Sequence, residues 1–460
     1  MKAVLTALAA TLLPSAALAE GPANPSSAAI EQILVERIDT AEQNVGIAVA
    51  VIEDGVPRFV SHGHPALGDD RQINEHTVFE IGSVTKLFTN VLLAEQVLAG
   101  KIDLDAPIVN YLPQGTVLPE RGGRQITAFD LVTHSSGLPP VPPDLGAGNP
   151  ANPYAGYGAQ ALRAFLASYQ LPRDIGTEFE YSNIGLALVV QAVEQVSGKA
   201  YASLLEERIF KPLGMTETAL TTTPELRERL ASGHDAARNP TSNWDLDVFA
   251  GAGALRSTVA DISKFIAAAS GAVASPLDPA FALMLARTRP SDPSGGKVGM
   301  GWFTLTHPKG EIVWHNGMTG GYNAFAGYDR QSRKGVVVLS NMASTVGIED
   351  IGFHILAENL PLAALPKLRQ AAEIDPALLD RYVGKYALTP AFVLEVTREG
   401  DGLFVQATGQ EKLPVFAENE TTFFYKVVDA QLSFTLGADG KAASVTLHQG
   451  GYSQPGQRIE

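Results

Sequence analysis

The sequence predicts an α+β domain, an antiparallel sheet flanked by helices, followed by a small all-β barrel. Three observations carry this. The chain has 460 residues, more than one ordinary domain needs. Apolar runs of strand length occur near residue 45 and again beyond residue 310, with helical patterns between them. After a stretch with three prolines, residues 360–376, the pattern changes to short strand-like runs separated by polar turns.

Met1-Lys2, the apolar residues 3–16 and Ala17-Leu18-Ala19 read as a removable export signal, residues 1–19, with Glu20 starting the mature chain. The run is too short, and the residues after it too polar, for a stable membrane span. Residues 28–42 have helical spacing. Val45 to Ile52 is a strand signal, Glu53-Asp54-Gly55 its hairpin turn, and residues 57–60 begin the partner strand. An apolar helix begins after Ser83. Residues 127–133 form a short capped helix, and residues 137–157, rich in Pro, Gly and Asn, a long surface loop near a site. Residues 186–196 have the pattern of a buried helix. Ser257-Thr258-Val259-Ala260-Asp261 caps another, with Asp261 at its third position. Residues 311–314, 324–329 and 335–340 are successive strands, and residues 351–360 a helix. Seven short runs then make the barrel: 382–388, 393–398, 403–408, 413–417, 422–427, 431–436 and 443–448. Its core aromatics are expected to be Tyr382, Tyr386, Phe404, Phe423, Phe424 and Phe434. The divisions are residues 1–19 signal, 20–362 first domain, 363–375 linker and 376–460 barrel.

Composition narrows the chemistry. A net charge of −15 argues against nucleic acid as a partner. With no cysteine, disulfides, thiol catalysis and cysteine-ligated metal are excluded, so the fold is held by its core. His62-Gly63-His64 lacks an Asp or His cluster at ligand spacing and reads as loop histidines. The reading calls for no cofactor and no metal.

Three motifs stand in order. Ser83-Val84-Thr85-Lys86 places a hydroxyl and an amine one helical turn apart on the same face. A lysine desolvated there has a lowered pKa and can take the serine's proton. Tyr181-Ser182-Asn183 comes second, just before an apolar helix. Tyr181 can act as a phenolate base or proton relay. Asn183 has donor and acceptor enough for Lys86 and a substrate amide, and can also cap the helix. His315-Asn316-Gly317 comes last, between a strand-like Ile312-Val313-Trp314 and Gly320-Gly321. A glycine-flanked edge strand lets a substrate backbone add as a further strand. His315 alternatively fills a strand as a neutral hydrogen-bonding residue.

The three motifs together resemble those of the serine penicillin-recognising enzymes: class C β-lactamases, low-molecular-mass D-Ala-D-Ala peptidases and their esterase relatives. Leu131-Val132-Thr133-His134-Ser135-Ser136-Gly137-Leu138, Phe210-Lys211-Pro212-Leu213-Gly214-Met215, Gly253-Ala254-Leu255-Arg256-Ser257-Thr258 and Gly299-Met300-Gly301-Trp302 extend the likeness over residues 28–360. The barrel resembles the lipocalin-like domain appended to some of these hydrolases. The resemblance implies an all-helical subdomain containing Tyr181, with the active site between it and the sheet. It implies that Ser83 forms an acyl-enzyme, that Lys86 and Tyr181 handle protons, and that the backbone N–H groups of Ser83 and Met318 make the oxyanion hole. Asn183, His315, Asn316 and Gly317 then bind substrate. The class C β-lactamases carry Lys-Thr-Gly where this chain has His315-Asn316-Gly317. A lysine there is charged, whereas an ordinary imidazole is mostly neutral at pH 7. The threonine that helps bind a substrate carboxylate is replaced by Asn316, with Thr319, Asn323 or Arg256 as candidates to compensate. The expected function is an exported serine hydrolase, periplasmic or secreted, cleaving β-lactams or D-Ala-D-Ala-type peptides. A carboxylesterase and a penicillin-binding protein with little turnover are the alternatives. The partner is a small-molecule or peptide substrate, and the oligomeric state is left open.

Overall fold

The computed structural model describes residues 25–460, apart from 294, 345, 358, 366–368, 370, 390, 391, 411, 427, 429, 450 and 451. The export-signal reading lies outside the described residues. The chain divides into two compact units, one ending at Ala363 and the other running Ala364–Glu460.

The first unit is built on an eight-stranded antiparallel sheet. Its strands are β1 (Gly46–Glu53), β2 (Val56–Gly63), β3 (Arg289–Pro290), β4 (Lys297–Val298), β5 (Phe303–His307), β6 (Gly310–Met318), β7 (Asn323–Asp329) and β8 (Gly335–Ser340), in the order β2-β1-β8-β7-β6-β5-β4-β3. Strands β1, β7 and β8 are apolar on both faces because both faces are covered. On one face lie α1 (Ser27–Val35) and the C-terminal helix of the unit, Glu349–Leu356, packed on Ile47, Val49, Val51, Val336 and Val338. On the other lies the larger core, holding α2 (Thr85–Leu98), α3 (Asn183–Ser197) and α4 (Val259–Ala269). Thr127 and Asp130 close a capping box on the short helix Ala128–Val132, as S/T-x-x-D spacing requires. Thr258 is the N-cap of α4 and accepts from Asp261 N–H.

The sequence expectation ended the strand around Glu311 at Trp314; β6 instead continues through the third motif to Met318. Strand β5 escaped notice because its Thr-Leu-Thr pattern is short and half polar. The helix expected to reach residue 360 stops at Leu356, with Ala357 already extended.

Arg37 ties the two helices of one face together. It is 1% exposed and pairs with Asp350, which also accepts from the backbone of Ala363. Removing the cation strands a buried carboxylate, so Arg37→Leu is expected to lower unfolding stability by about 3–5 kcal/mol. Urea unfolding of the variant checks this; a change under about 1 kcal/mol would mean that the pair is worth no more than a surface one.

The second unit is a closed eight-stranded barrel with each strand antiparallel to the next: β9 (Gly384–Thr389), β10 (Phe392–Glu399), β11 (Gly402–Ala407), β12 (Lys412–Ala417), β13 (Thr422–Phe424), β14 (Ala430–Leu436), β15 (Ala442–Gln449) and β16 (Tyr452–Arg458). Seven strands were legible as short runs separated by polar turns. The eighth, β16, was not, because Pro455 and Gly456 interrupt it; Pro455, without an N–H, stands opposite Thr446. Tyr386, Phe423 and Phe434 fill the interior, as expected, with Tyr382. Tyr382 reaches it from the end of a 3-10 turn (Pro376–Arg381) and not from a strand. Phe404 was expected inside, but strand alternation turns Leu403 and Val405 inward and leaves Phe404 half-exposed.

Candidate active site

Ser83 stands at the N-terminal end of α2, in a 3-10 turn (Gly82–Val84) that runs into the helix. Residues Thr85 to Ala94 of α2 are all buried, so the helix crosses the interior. Lys86 is 0% exposed, and its Nζ lies 2.8 Å from Ser83 Oγ and 2.7 Å from the carbonyl oxygen of Ala252. Burial holds the amine well below the ordinary lysine range. A neutral amine has an N–H for the carbonyl and a lone pair for the serine proton.

The small residues Ala250–Gly253 allow that carbonyl to come so close. A side chain at Gly251 would meet Val190 at 2.2 Å. The same segment is pinned to α2 twice more, by Thr89 Oγ1 donating to Gly251 O and Leu255 N–H donating to Thr85 Oγ1.

Strand β6 meets this turn almost backbone to backbone. A Cβ at Gly317 would lie 2.0 Å from Ile81 O and 2.9 Å from Ser83 N; one at Gly82, where φ is +48°, would lie 2.7 Å from Met318 N. Two glycines therefore bring the amides of Ser83 and Met318 to the same spot. Thr319 N–H donates to Tyr322 O, which sets the register so that Met318 N–H points away from β7. On that side, pairing with β5 stops at Phe303–Trp314, so among the described residues no strand pairs with the edge from His315 to Met318. Ser83 N–H sits at the start of a helical turn, where amides lack intrahelical acceptors.

Tyr181 is half-buried beside Lys86, whose Nζ is 4.7 Å from its ring centroid. Burial raises its phenol well above the ordinary range, and a hydrogen bond with Ser83 opposes this weakly. This shift favours the neutral phenol. Asn183 is the first residue of α3, and Ser182, not Asn183, is the N-cap. Asn183 Nδ2 donates to Tyr154 OH at 3.0 Å, and its buried Oδ1 has no partner among the described residues. The reading that joined Asn183 to Lys86 is replaced by this contact with Tyr154, which the loop 137–157 delivers.

His315 is 0% exposed, between Tyr181 and Phe303, and its Nδ1 donates to Asn316 O. Its pKa is pushed down to about 3 by burial first and by Lys86 second. It is a neutral imidazole with its Nε2 lone pair unpartnered among the described residues. Asn316 does not share its face: the carboxamide donates to Glu349 Oε1 at 2.8 Å. Strand alternation dictates this, since 315 and 317 share one face and 316 the other. Met318 is 54% exposed. Arg256 is committed to Glu80 Oε1 at 3.0 Å and to the carbonyls of Leu220 and Trp244, and does not stand as a loose cation. Thr319 is buried with its hydroxyl unpartnered among the described residues.

His134, which the sequence offers only as one member of the 131–138 run, belongs to the same cluster. It is buried, its Nδ1 accepts from Ser182 N–H, and its ring lies 4.4 Å from that of Tyr181. Burial, then Lys86 and His315, hold it well below the ordinary histidine range. The unfolded chain therefore binds protons at His134 and His315 from about pH 6.5 downward, where the folded protein does not. Stability from this source is complete above that pH and is lost as pH falls toward the folded values. The expected slope between pH 6 and 5 approaches 1.4 kcal/mol per pH unit for each histidine. In urea unfolding, His315→Gln should remove about one proton from that slope; an unchanged slope would contradict the assignment.

A serine hydroxyl within hydrogen-bond reach of a buried lysine amine is an arrangement that a serine hydrolase can use. The chain belongs to the Beta-lactamase family, whose model matches residues 31–358. Residues 368–458 match a second family, described as a domain of unknown function, DUF3471. Penicillin-binding protein 4* of Bacillus subtilis (strain 168) is 27% identical over 462 residues, covering 93% of this chain and 98% of that protein. The D-alanyl-D-alanine-carboxypeptidase/endopeptidase AmpH of Escherichia coli (strain K12) is 31% identical over 221 residues, 48% of this chain and 56% of that protein. Among solved structures, the β-lactamase/D-alanine carboxypeptidase of Yersinia pestis has a TM-score of 0.63 at 24% identity, covering 73% of this chain and 99% of that one. The octameric penicillin-binding protein homologue of Pyrococcus abyssi has a TM-score of 0.62 at 22% identity, covering 93% and 99%. Both have the same fold.

Proposed function

We propose that the protein hydrolyses amide bonds of D-amino peptides or β-lactams through an acyl-enzyme on Ser83. The observation that carries this reading is the wholly buried Lys86, 2.8 Å from Ser83 Oγ, with its amine pushed well below the ordinary lysine range by desolvation. The neutral amine takes the hydroxyl proton as Oγ attacks the carbonyl. The amides of Ser83 and Met318 receive the negative charge on the carbonyl oxygen. Tyr181, a neutral phenol between Lys86 and His315, passes the proton on to the leaving nitrogen. The bare edge of β6, ending at Met318, accepts the substrate backbone, and Asn183 Oδ1 accepts an N–H of the acyl part. Water then releases the acyl group. AmpH is named for D-alanyl-D-alanine carboxypeptidase and endopeptidase activity and penicillin-binding protein 4* for binding penicillin, which supports the reading.

A second reading, a carboxylesterase, is favoured by one specific observation. The positions expected to recognise a substrate carboxylate are neutral or occupied: His315 is uncharged, Asn316 holds Glu349 and Arg256 holds Glu80. Rates on p-nitrophenyl acetate and on a D-Ala-D-Ala tripeptide separate the two. Release of D-alanine at a rate lost in Ser83→Ala supports the peptidase. Ester turnover alone, equally lost, supports the esterase. Neither activity, together with no turnover of a chromogenic cephalosporin, would overturn both.

Export belongs to the same proposal, on the strength of residues 1–19. Among the described residues no helix is long and apolar enough to cross a membrane. Amino-terminal sequencing of the protein from the cell envelope or medium should begin at Glu20; a retained Met1 would refute it.

A further inference from the structure

We infer that His134 is a positioning residue that fixes the Tyr181 phenol over Lys86. This rests on the relay role proposed for Tyr181. His134 grips both neighbours of that tyrosine. Its carbonyl oxygen accepts from Glu180 N–H at 2.7 Å, and its ring Nδ1 accepts from Ser182 N–H at 3.1 Å. Between these two anchors its ring lies against the Tyr181 ring, centroids 4.4 Å apart and planes 30° apart, while Phe179 closes the edge at 5.8 Å. The residue is 1% exposed and has φ +53°, a left-handed backbone that a residue without glycine's freedom adopts at a cost. That backbone is what lets the main-chain carbonyl and the side chain face the same segment. Accepting from Ser182 N–H leaves Nδ1 without a proton, so the ring is a neutral acceptor, in keeping with its burial near Lys86. A cationic ring at this position would oppose the positive charge that Lys86 gains when it takes the serine proton.

The alternative is that His134 merely holds up the chain before Gly137. A double-mutant cycle with Tyr181→Phe tells them apart. His134→Asn keeps an acceptor for Ser182 N–H and tolerates positive φ, but lacks the ring. His134→Ala lacks both. On D-alanine p-nitroanilide, whose leaving nitrogen needs a proton, His134→Asn should lower kcat about tenfold and His134→Ala about 100-fold, with KM within about twofold, as expected of a misplaced group. In the Tyr181→Phe background neither should cost more than about a further twofold. A full loss repeated in that background, or wild-type kcat in His134→Asn, would overturn the inference. If His134→Ala does not fold, the asparagine arm alone decides. Tyr181→Phe acting at the wild-type rate would refute the relay role itself, and that single variant shows it.

Discussion

Lys86→Met should lose hydrolysis by about 10³-fold or more while the fold becomes no less stable. The two effects have one origin. Lys86 is 0% exposed and burial holds its amine well below the ordinary lysine range, whereas the same lysine in the unfolded chain is protonated below its ordinary pKa of 10.5. The unfolded state then binds one more proton than the folded state, and folding is penalised by about 1.4 kcal/mol for each unit by which the pKa is lowered. Methionine fills the slot without that penalty. It leaves Ala252 O short of a donor, which costs about 1–3 kcal/mol. The balance is a variant as stable as the parent, or more so, without a base for Ser83. Ester hydrolysis and urea unfolding of the same preparation test both halves. Substantial remaining turnover would show that another group takes the serine proton. A loss of several kcal/mol would show that the amine stabilises the helix.

Gly317→Ala should cost about 100-fold in kcat/KM by a different route. Its Cβ would lie 2.0 Å from Ile81 O and 2.9 Å from Ser83 N, and both are backbone atoms that cannot swing aside. Strand and turn must separate by about 1 Å or more, which spoils an oxyanion site made of one amide from each. The strain is expected to lower stability by about 1–3 kcal/mol as well. Gly148→Ala, where an added Cβ meets nothing within 4 Å, is the control and should behave as the parent. Parental kinetics in Gly317→Ala would mean that the two amides do not act together.

The parts of this site that were legible in the sequence are those set by local periodicity. The i, i+3 spacing of Ser83 and Lys86 needs only a helix, and the alternation of the barrel strands only a sheet with one buried face. Asn316 was within reach of the same rule: once 315–317 is a strand, its side chain must leave the face that His315 and Gly317 share. Contacts made across the chain by main-chain atoms were not legible. Ala252 O reaches Lys86 from 166 residues away, and the sequence offers only the small Ala250–Gly253 run as a sign. Tyr154 was one aromatic in a loop read only by its prolines and glycines. His134 gave no sign of positive φ, since histidine does not announce a left-handed backbone as glycine does.

The most direct measurement is intact-protein mass spectrometry, over time, after adding a chromogenic cephalosporin, with peptide mapping of any adduct. The account predicts one acyl group per chain on the peptide that carries Ser83, transient if the adduct hydrolyses and lasting if it does not, and none in Ser83→Ala. Turnover of the cephalosporin with no adduct at any time, or an adduct on another residue, would contradict it.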